Sequence, residues 1–277
     1  MGKRSATLFQ SLQGVGESLL RRAPLTPDVF RQSSVMAETA HRPWPLPDRP
    51  WLMGQTWTSL LFAHWPVPAS ALGKVVPPQL PLDTYDGSAW LGVTPFRVEG
   101  LRLRGTAPVP GLSSFPEINV RTYVTIEGKP GIYFLSLDAD SRAAVRAARH
   151  SYRLPYFRSR ISMREEEKET SFNAMRVSGD GPEASFRARY GPEGQRLPQR
   201  PGSLERWLTE RYCLYAFDES ERLHRGEIHH PPWPLHGAWA EIDASTMARP
   251  YGIDLEEEPL LHFSARHDVA LWPIAPI

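Results

Sequence analysis

Residues able to do chemistry recur at every second position from Glu117, giving Glu117, Asn119, Arg121 and Tyr123. Side chains alternate across an extended strand, so these four share one face while Ile118, Val120, Thr122 and Val124 share the other. Two roles suit such a strand. Its polar side can face water, as in a half-exposed antiparallel sheet, or it can wall a cavity in which Glu117 and Arg121 orient a ligand and Asn119 and Tyr123 hydrogen-bond it. If Glu117 is buried, loss of water raises its pKa and a neighbouring Arg121 lowers it, so acid or base work depends on which effect is larger.

Other chemically suggestive groups have plainer readings beside the functional ones. Arg142, Arg146, Arg149 and Arg153 are spaced by four, three and four, which places them along one side of a helix. They can attract a carboxylate or phosphate, but such a stripe is more commonly a solvated face. His229, His230 and His236 lie in a Pro/Trp-rich stretch without the His-Glu-x-x-His arrangement of a metal site. They are read as loop packing, and no metal is expected. His262, His267 and Asp268 lack a Gly-x-Ser-x-Gly nucleophile elbow to serve, so they are read as polar strand-end residues. His64 and Trp65 end a strand, where packing competes with a place at a pocket opening. Gly14-Val15-Gly16 lacks the rest of a dinucleotide fingerprint, and no cofactor is expected.

The elements that must position these groups are mostly strands. QTWTSLLFAHW from Gln55 is rich in β-formers, and PASALGKVV, between Pro68 and Pro77, suits a two-turn helix. Asp86-Gly87 signals a hairpin, and Gly128-Lys129-Pro130-Gly131 supplies the turn of a second one, from Glu117 to Ala139. Ser141 to Tyr152, with its repeated alanines, favours a helix. Two strands follow around the polar turn of YFRSRISMREEEKETSFNAMRVS, then a strand at PEASFRARYGP, a helix at PGSLERWLTERY and a last strand at LLHFSARHDVALWPI. Many strands, few helices and no βαβ series give an α+β, mainly antiparallel architecture, a barrel or sandwich with peripheral helices.

A chain of 277 residues can form one such domain. Residues 1–45 are read as an N-terminal tail or short helix, with leucines at 8, 12, 19 and 20, ended by the four prolines of RPWPLPDRP. Residues 46–277 are read as a single domain. The 32 basic and 31 acidic residues nearly cancel, which removes the positive field of a nucleic-acid binder. No apolar stretch is long enough to span a bilayer, so no membrane partner is expected. Cys213 is the single cysteine, so no internal disulfide can form, and a reducing, cytoplasmic location is expected.

Several segments carry a family likeness. LLFAHWPV, DGSAWLGVTPF, FPEINVRTYV, GIYFLSLDA and HHPPWPL together resemble the YqjF-like family of bacterial proteins of unknown function, over roughly residues 50 to 275. That family is similar to the acetoacetate decarboxylase superfamily, and the resemblance implies its β-barrel enclosing a pocket, flanked by further strands and helices. Decarboxylases of the superfamily carry a segment similar to Gly-Arg-Glu-x-x-Gly-Phe-Pro-Lys-Lys. Here Ala148 to Phe157 stands in its place: Arg149 and Pro155 match, while Tyr156 and Phe157 replace the two lysines. A Schiff base needs a primary amine made nucleophilic by its surroundings. The remaining lysines are ill placed, Lys3 in the tail, Lys74 on a short helix, Lys129 in a turn and Lys168 in a glutamate run, so imine chemistry is not expected.

The resemblance and the strand pattern together nominate Glu117 and Tyr156 as catalytic residues, and Asn119, Arg121, Tyr123 and Arg149 as ligand-binding ones. The implied partner is a small molecule, an organic acid or carbonyl compound, with a carboxylate among its candidate groups. Two classes stay open: a lyase or isomerase that works without an imine, and a noncatalytic binding or sensory protein that retains the pocket. A homo-oligomer is compatible with either.

Overall fold

The alternating segment becomes a strand, β3 (Phe115–Ile126), in the middle of a twelve-stranded sheet. The computed structural model describes residues 34–109 and 111–277. In chain order the other strands are β1 (Met53–Val67), β2 (Ala89–Leu103), β4 (Lys129–Ala139), β5 (Tyr156–Glu165), β6 (Thr170–Arg176), β7 (Ser185–Arg196), β8 (Cys213–Phe217), β9 (Leu223–His229), β10 (His236–Ser245), β11 (Leu260–Leu271) and β12 (Ala275–Pro276). Helices α1 (Ala69–Leu72), α2 (Arg142–Ser151) and α3 (Leu204–Thr209) connect them.

The pairing order β12-β9-β8-β4-β3-β2-β1-β11-β10-β7-β6-β5 is supplemented by β4–β5 and β9–β11 contacts, which close the sheet on itself twice. Strands β4, β3, β2, β1 and β11 form a wall common to both circuits. One circuit runs through β10, β7, β6 and β5 and returns to β4 by the parallel pair Leu137↔Tyr156. The other runs through β9 and β8 and returns to β4 by Ile132↔Leu214. Most pairings are antiparallel, and the acetoacetate decarboxylase-like expectation of a closed, strand-rich architecture with few helices holds.

This layout decides what each face of β3 meets. Ile118, Val120 and Val124 belong to a core with Phe172, Phe186, Tyr190 and Phe263, which fills the first circuit. Glu117, Asn119 and Arg121 point the other way, into the second. All three are buried, so the wall is covered on both faces and the solvated-face reading of β3 fails. A bulge between Val120 and Arg121 in the β3–β4 register gives β4 one extra residue, so Phe134 opposes Arg121 while Leu137 opposes Asn119.

The turns differ in detail from expectation. Asp86 and Gly87 both take positive φ, 48° and 80°, and Tyr85 and Ser88 exchange backbone hydrogen bonds across them, the I′ geometry that suits a two-residue turn. Between β3 and β4 the turn is Glu127-Gly128, with φ of 51° and 71°, rather than Gly128 to Gly131. Gly131 belongs to β4 because a Cβ there would lie 2.7 Å from Cys213 Sγ on the neighbouring strand. The helix expected between Pro68 and Pro77 is a single turn, α1. Strands β8, β9 and β10 had no counterpart in the sequence reading; the Pro/Trp-rich stretch from His230 to Leu235 is loop as read, while His229 closes β9 and His236 opens β10.

The leucines at 8, 12, 19 and 20, Gly14-Val15-Gly16 and Lys3 lie outside the described residues. Residues 41–44 are held against β9. Arg42 pairs with Glu227 at 3.2 Å and donates to the Ile228 carbonyl at 2.7 Å, while Trp44 donates to Glu227 at 2.9 Å. Among the described residues no helix is long and apolar enough to cross a membrane.

Candidate functional site

A cavity of about 380 Å³ occupies the second circuit, lined by all seven of its strands and covered by α2. Ser141 caps α2 by accepting from the Ala144 amide at 3.2 Å. The helix turns Ala143, Ala144, Ala147 and Ala148 toward the cavity, and such short side chains leave the space beneath them open. Arg142, Arg146, Arg149 and Arg153 are all exposed. Their stripe is a solvated face.

Tyr156 opens β5, two strands from Glu117, because Asn119 pairs with Leu137 and Leu137 pairs with Tyr156. Its hydroxyl donates to Glu117 Oε2 at 2.8 Å. The next residue, Phe157, points away and lies beneath the Arg176 guanidinium, 3.9 Å from it. Arg149 sits outside the cavity, where its Nε donates to the Tyr156 carbonyl at 2.6 Å and its Nη2 pairs with Asp180 at 2.8 Å. The residue expected to bind ligand therefore anchors the backbone that carries Tyr156.

Glu117 is fully enclosed, and burial pushes its carboxyl up to about 8. The Tyr156 hydrogen bond opposes that rise, and the negative charge of Asp138 adds to it. Desolvation is the largest influence, so near neutral pH Glu117 is a protonated acid. Asp138 is itself neutralised by a two-pronged pair with Arg176, both contacts 2.8 Å, and by the Ser159 hydroxyl at 2.7 Å. Burial, with the adjacent Glu117, holds the Tyr156 hydroxyl well above the usual tyrosine value. Tyr156 is thus a protonated hydrogen-bond donor to Glu117.

Further along the same face, Arg121 is 6% exposed, its Nε has no hydrogen-bond partner within the protein, and its guanidinium lies 5.0 Å from the Phe62 ring. Among the described residues it forms no ion pair. Gly92, opposite Arg121 in β2, makes its placement fit, since a Cβ there would meet His64 Cδ2 at 3.0 Å and Arg121 Cγ at 3.4 Å. Asn119 Oδ1 is buried and also unpartnered. Tyr123 does not reach the cavity: its hydroxyl is 2.6 Å from His64 Nε2, and its ring packs against Trp207 and Arg211. His64 therefore serves packing and hydrogen bonding, with burial and Arg121 holding its pKa well below the usual histidine value.

One cavity residue, Arg211, escaped the sequence reading, and a second, His230, was read there only as loop packing. Arg211 is buried, paired with Asp83 at 2.5 Å, and has an unpartnered Nη2. His230 stacks on Tyr212 at 4.6 Å, and burial lowers its pKa, so it stays neutral near pH 7. Neither sat in a recognisable motif, and only the resemblance of HHPPWPL pointed at His230. His267, behind it, stacks on Trp233 at 3.8 Å. Among the described residues no three His, Cys, Asp or Glu side chains are grouped to hold a metal, and no lysine lines the cavity.

Comparison with known proteins gives a family and a fold. The DUF2071 family, described as an uncharacterized conserved protein, matches residues 54–268. The protein "Uncharacterized protein YqjF" of Bacillus subtilis (strain 168) is 46% identical over 230 residues, which span 83% of this chain and 94% of that one. Among solved structures, the enduracididine biosynthesis enzyme MppR, complexed with the condensation product of pyruvate and imidazole 4-carboxaldehyde, superposes with a TM-score of 0.58 at 13% identity, covering 82% of this chain and 90% of that one. Acetoacetate decarboxylase from Legionella pneumophila gives 0.55 at 14% identity, covering 92% and 98%. The chain belongs to the DUF2071 family and shares the acetoacetate decarboxylase-like fold.

Proposed function

We propose that this member of the DUF2071 family binds an organic acid or carbonyl compound in the cavity of the second circuit, and transfers a proton to or from it without forming an imine. The observation that carries the reading is the buried Glu117–Tyr156 hydrogen bond inside a cavity that also holds Arg121, which has no counter-charge among the described residues. Arg121 offers a charge-assisted site for a carboxylate. Glu117 gives its proton to an enolate carbon or a carbonyl oxygen, and Tyr156, donating to Oε2, stabilises the carboxylate left behind. In the reverse direction that carboxylate takes a proton from the carbon beside a carbonyl.

Imine catalysis would require an amine, and the described cavity lining contains none. MppR, the structural neighbour described in complex with pyruvate, makes 2-oxo acids sensible first probes. The test is proton exchange in heavy water, followed by nuclear magnetic resonance on a panel of oxo acids, with binding measured calorimetrically. Exchange by the wild type that is lost in Glu117→Gln, with binding kept, supports the reading. Binding without exchange in either protein would make this a receptor, and the absence of an amine in the cavity is what favours that second class.

A further inference from the structure

We infer that the natural occupant is a monocarboxylic acid with an extended apolar body, an acyl or aryl acid, whose carboxylate sits at Arg121 and whose body runs toward Leu103 and Leu112. This inference rests on the organic-acid reading above and narrows it to one ligand class.

Charge balance gives the single negative charge. The acidic and basic side chains of the lining are Glu117, Arg121 and Arg211, with two histidines, His150 at the exposed edge and the buried His230. Arg211 is compensated by Asp83. Glu117 is uncharged when protonated and bonded to Tyr156. Among the described residues that leaves one buried guanidinium without a counter-ion, and an isolated buried charge is costly until something pairs with it. A monoanion satisfies Arg121, whereas a second carboxylate inside the cavity would meet only Arg211, whose charge Asp83 already balances.

The rest of the lining calls for hydrocarbon. Besides the groups already named, the lining carries the polar Gln55, Thr94, Ser151, Tyr152 and Thr209 and two tryptophans; most of the wall is leucine, alanine, phenylalanine, isoleucine and methionine side chains. They continue to the surface: Leu103 is 37% exposed and Leu112 55% exposed, and both line the cavity. Exposed leucines are ordinary when scattered singly, but here they border an apolar cavity of small-molecule size. A short polar oxo acid would reach Arg121 and leave these walls without contacts. An acid with a chain or ring would cover them.

The order along β3 sets the pose. Phe115, Glu117, Asn119 and Arg121 follow one another along the cavity, and the four residue steps from Glu117 to Arg121 advance about 13 Å. With the carboxylate near Arg121, Asn119 and the Glu117–Tyr156 pair lie beside the body of the ligand, several bonds from its acid group.

Calorimetry on the full chain with straight-chain monocarboxylates of four to twelve carbons tests this directly. Affinity is expected to rise about fourfold per added methylene until the cavity is filled. The primary alcohol of equal length is expected to bind at least tenfold more weakly, as is the corresponding dicarboxylate. Arg121→Gln should erase the preference for acid over alcohol, and Leu112→Glu, at an exposed position, should weaken decanoate at least tenfold. The wild-type series stands even if a variant fails to fold. Butyrate or pyruvate binding as tightly as decanoate would overturn the apolar-body inference while leaving the organic-acid reading intact. Decanol matching decanoate would overturn the role of Arg121, and no binding of any carboxylate would overturn both.

Discussion

Replacing Glu117 by Gln keeps an acceptor for the Tyr156 hydroxyl and removes one titration, so it isolates the energetic signature of the cavity. Burial holds the folded-state pKa of Glu117 at about 8 against an ordinary 4.5. The folded chain thus binds this proton more tightly than the unfolded chain. The stability it contributes is fully present below pH 4.5 and is lost as pH rises through about 8. The full rise corresponds to roughly 5 kcal/mol as a ceiling, of which about 1 kcal/mol is lost between pH 7 and pH 9. His64, His230, His262 and His267 all have pKa values lowered by burial, so they titrate below that window. Urea denaturation of both proteins at pH 7 and pH 9 reads the difference. The wild type should lose about 1 kcal/mol more than Glu117→Gln over this interval. Equal losses in the two proteins would refute the claim that Glu117 is a buried, proton-holding acid.

Four other outcomes are expected. Tyr156→Phe removes the hydrogen bond that favours the carboxylate, so Glu117 should titrate above its present value of about 8, as followed by carbon-detected magnetic resonance of labelled glutamate. Arg176→Met leaves Asp138 charged and buried without its partner, and should cost about 3–5 kcal/mol in chemical denaturation. Arg42→Ala strips Glu227 and the Ile228 carbonyl of a donor; it should cost about 1–3 kcal/mol and speed proteolysis between residues 34 and 50. Borohydride with pyruvate should add no mass to the wild type, read by intact-protein mass spectrometry, because an adduct needs an amine in the cavity.

The strand periodicity of β3 was legible because one residue in two is polar along Glu117 to Tyr123, and the fold makes both faces matter. What the period could not reveal is where along the face the cavity stops. Tyr123 continues the alternation, yet His64 on β1 takes its hydroxyl, a contact between residues 59 apart in sequence. Arg149 matched a family segment, and the match located the right neighbourhood, but helix geometry aims its guanidinium outward at Asp180 while the carbonyl of Tyr156 receives its Nε. Tyr156 reached Glu117 through the parallel β4–β5 pairing, which no local pattern announces. Strands β8 and β9 were hidden for a similar reason: Leu223 to His229 mixes charge, glycine and histidine, and is stabilised by long-range partners on β8, β11 and β12. Arg211 was missed with them, and His230 was read only as packing, because their place in the cavity depends on that closure.

The central claim is that the cavity holds an organic acid with its negative charge on Arg121 and its body against the Glu117–Tyr156 pair. A crystal structure of the wild-type protein grown with decanoate tests it most directly. The expected result is a carboxylate within hydrogen-bonding distance of the Arg121 guanidinium, with the chain running past Glu117 toward Leu112. A carboxylate at the cavity opening with Arg121 unengaged, or an empty cavity at saturating ligand, would contradict it.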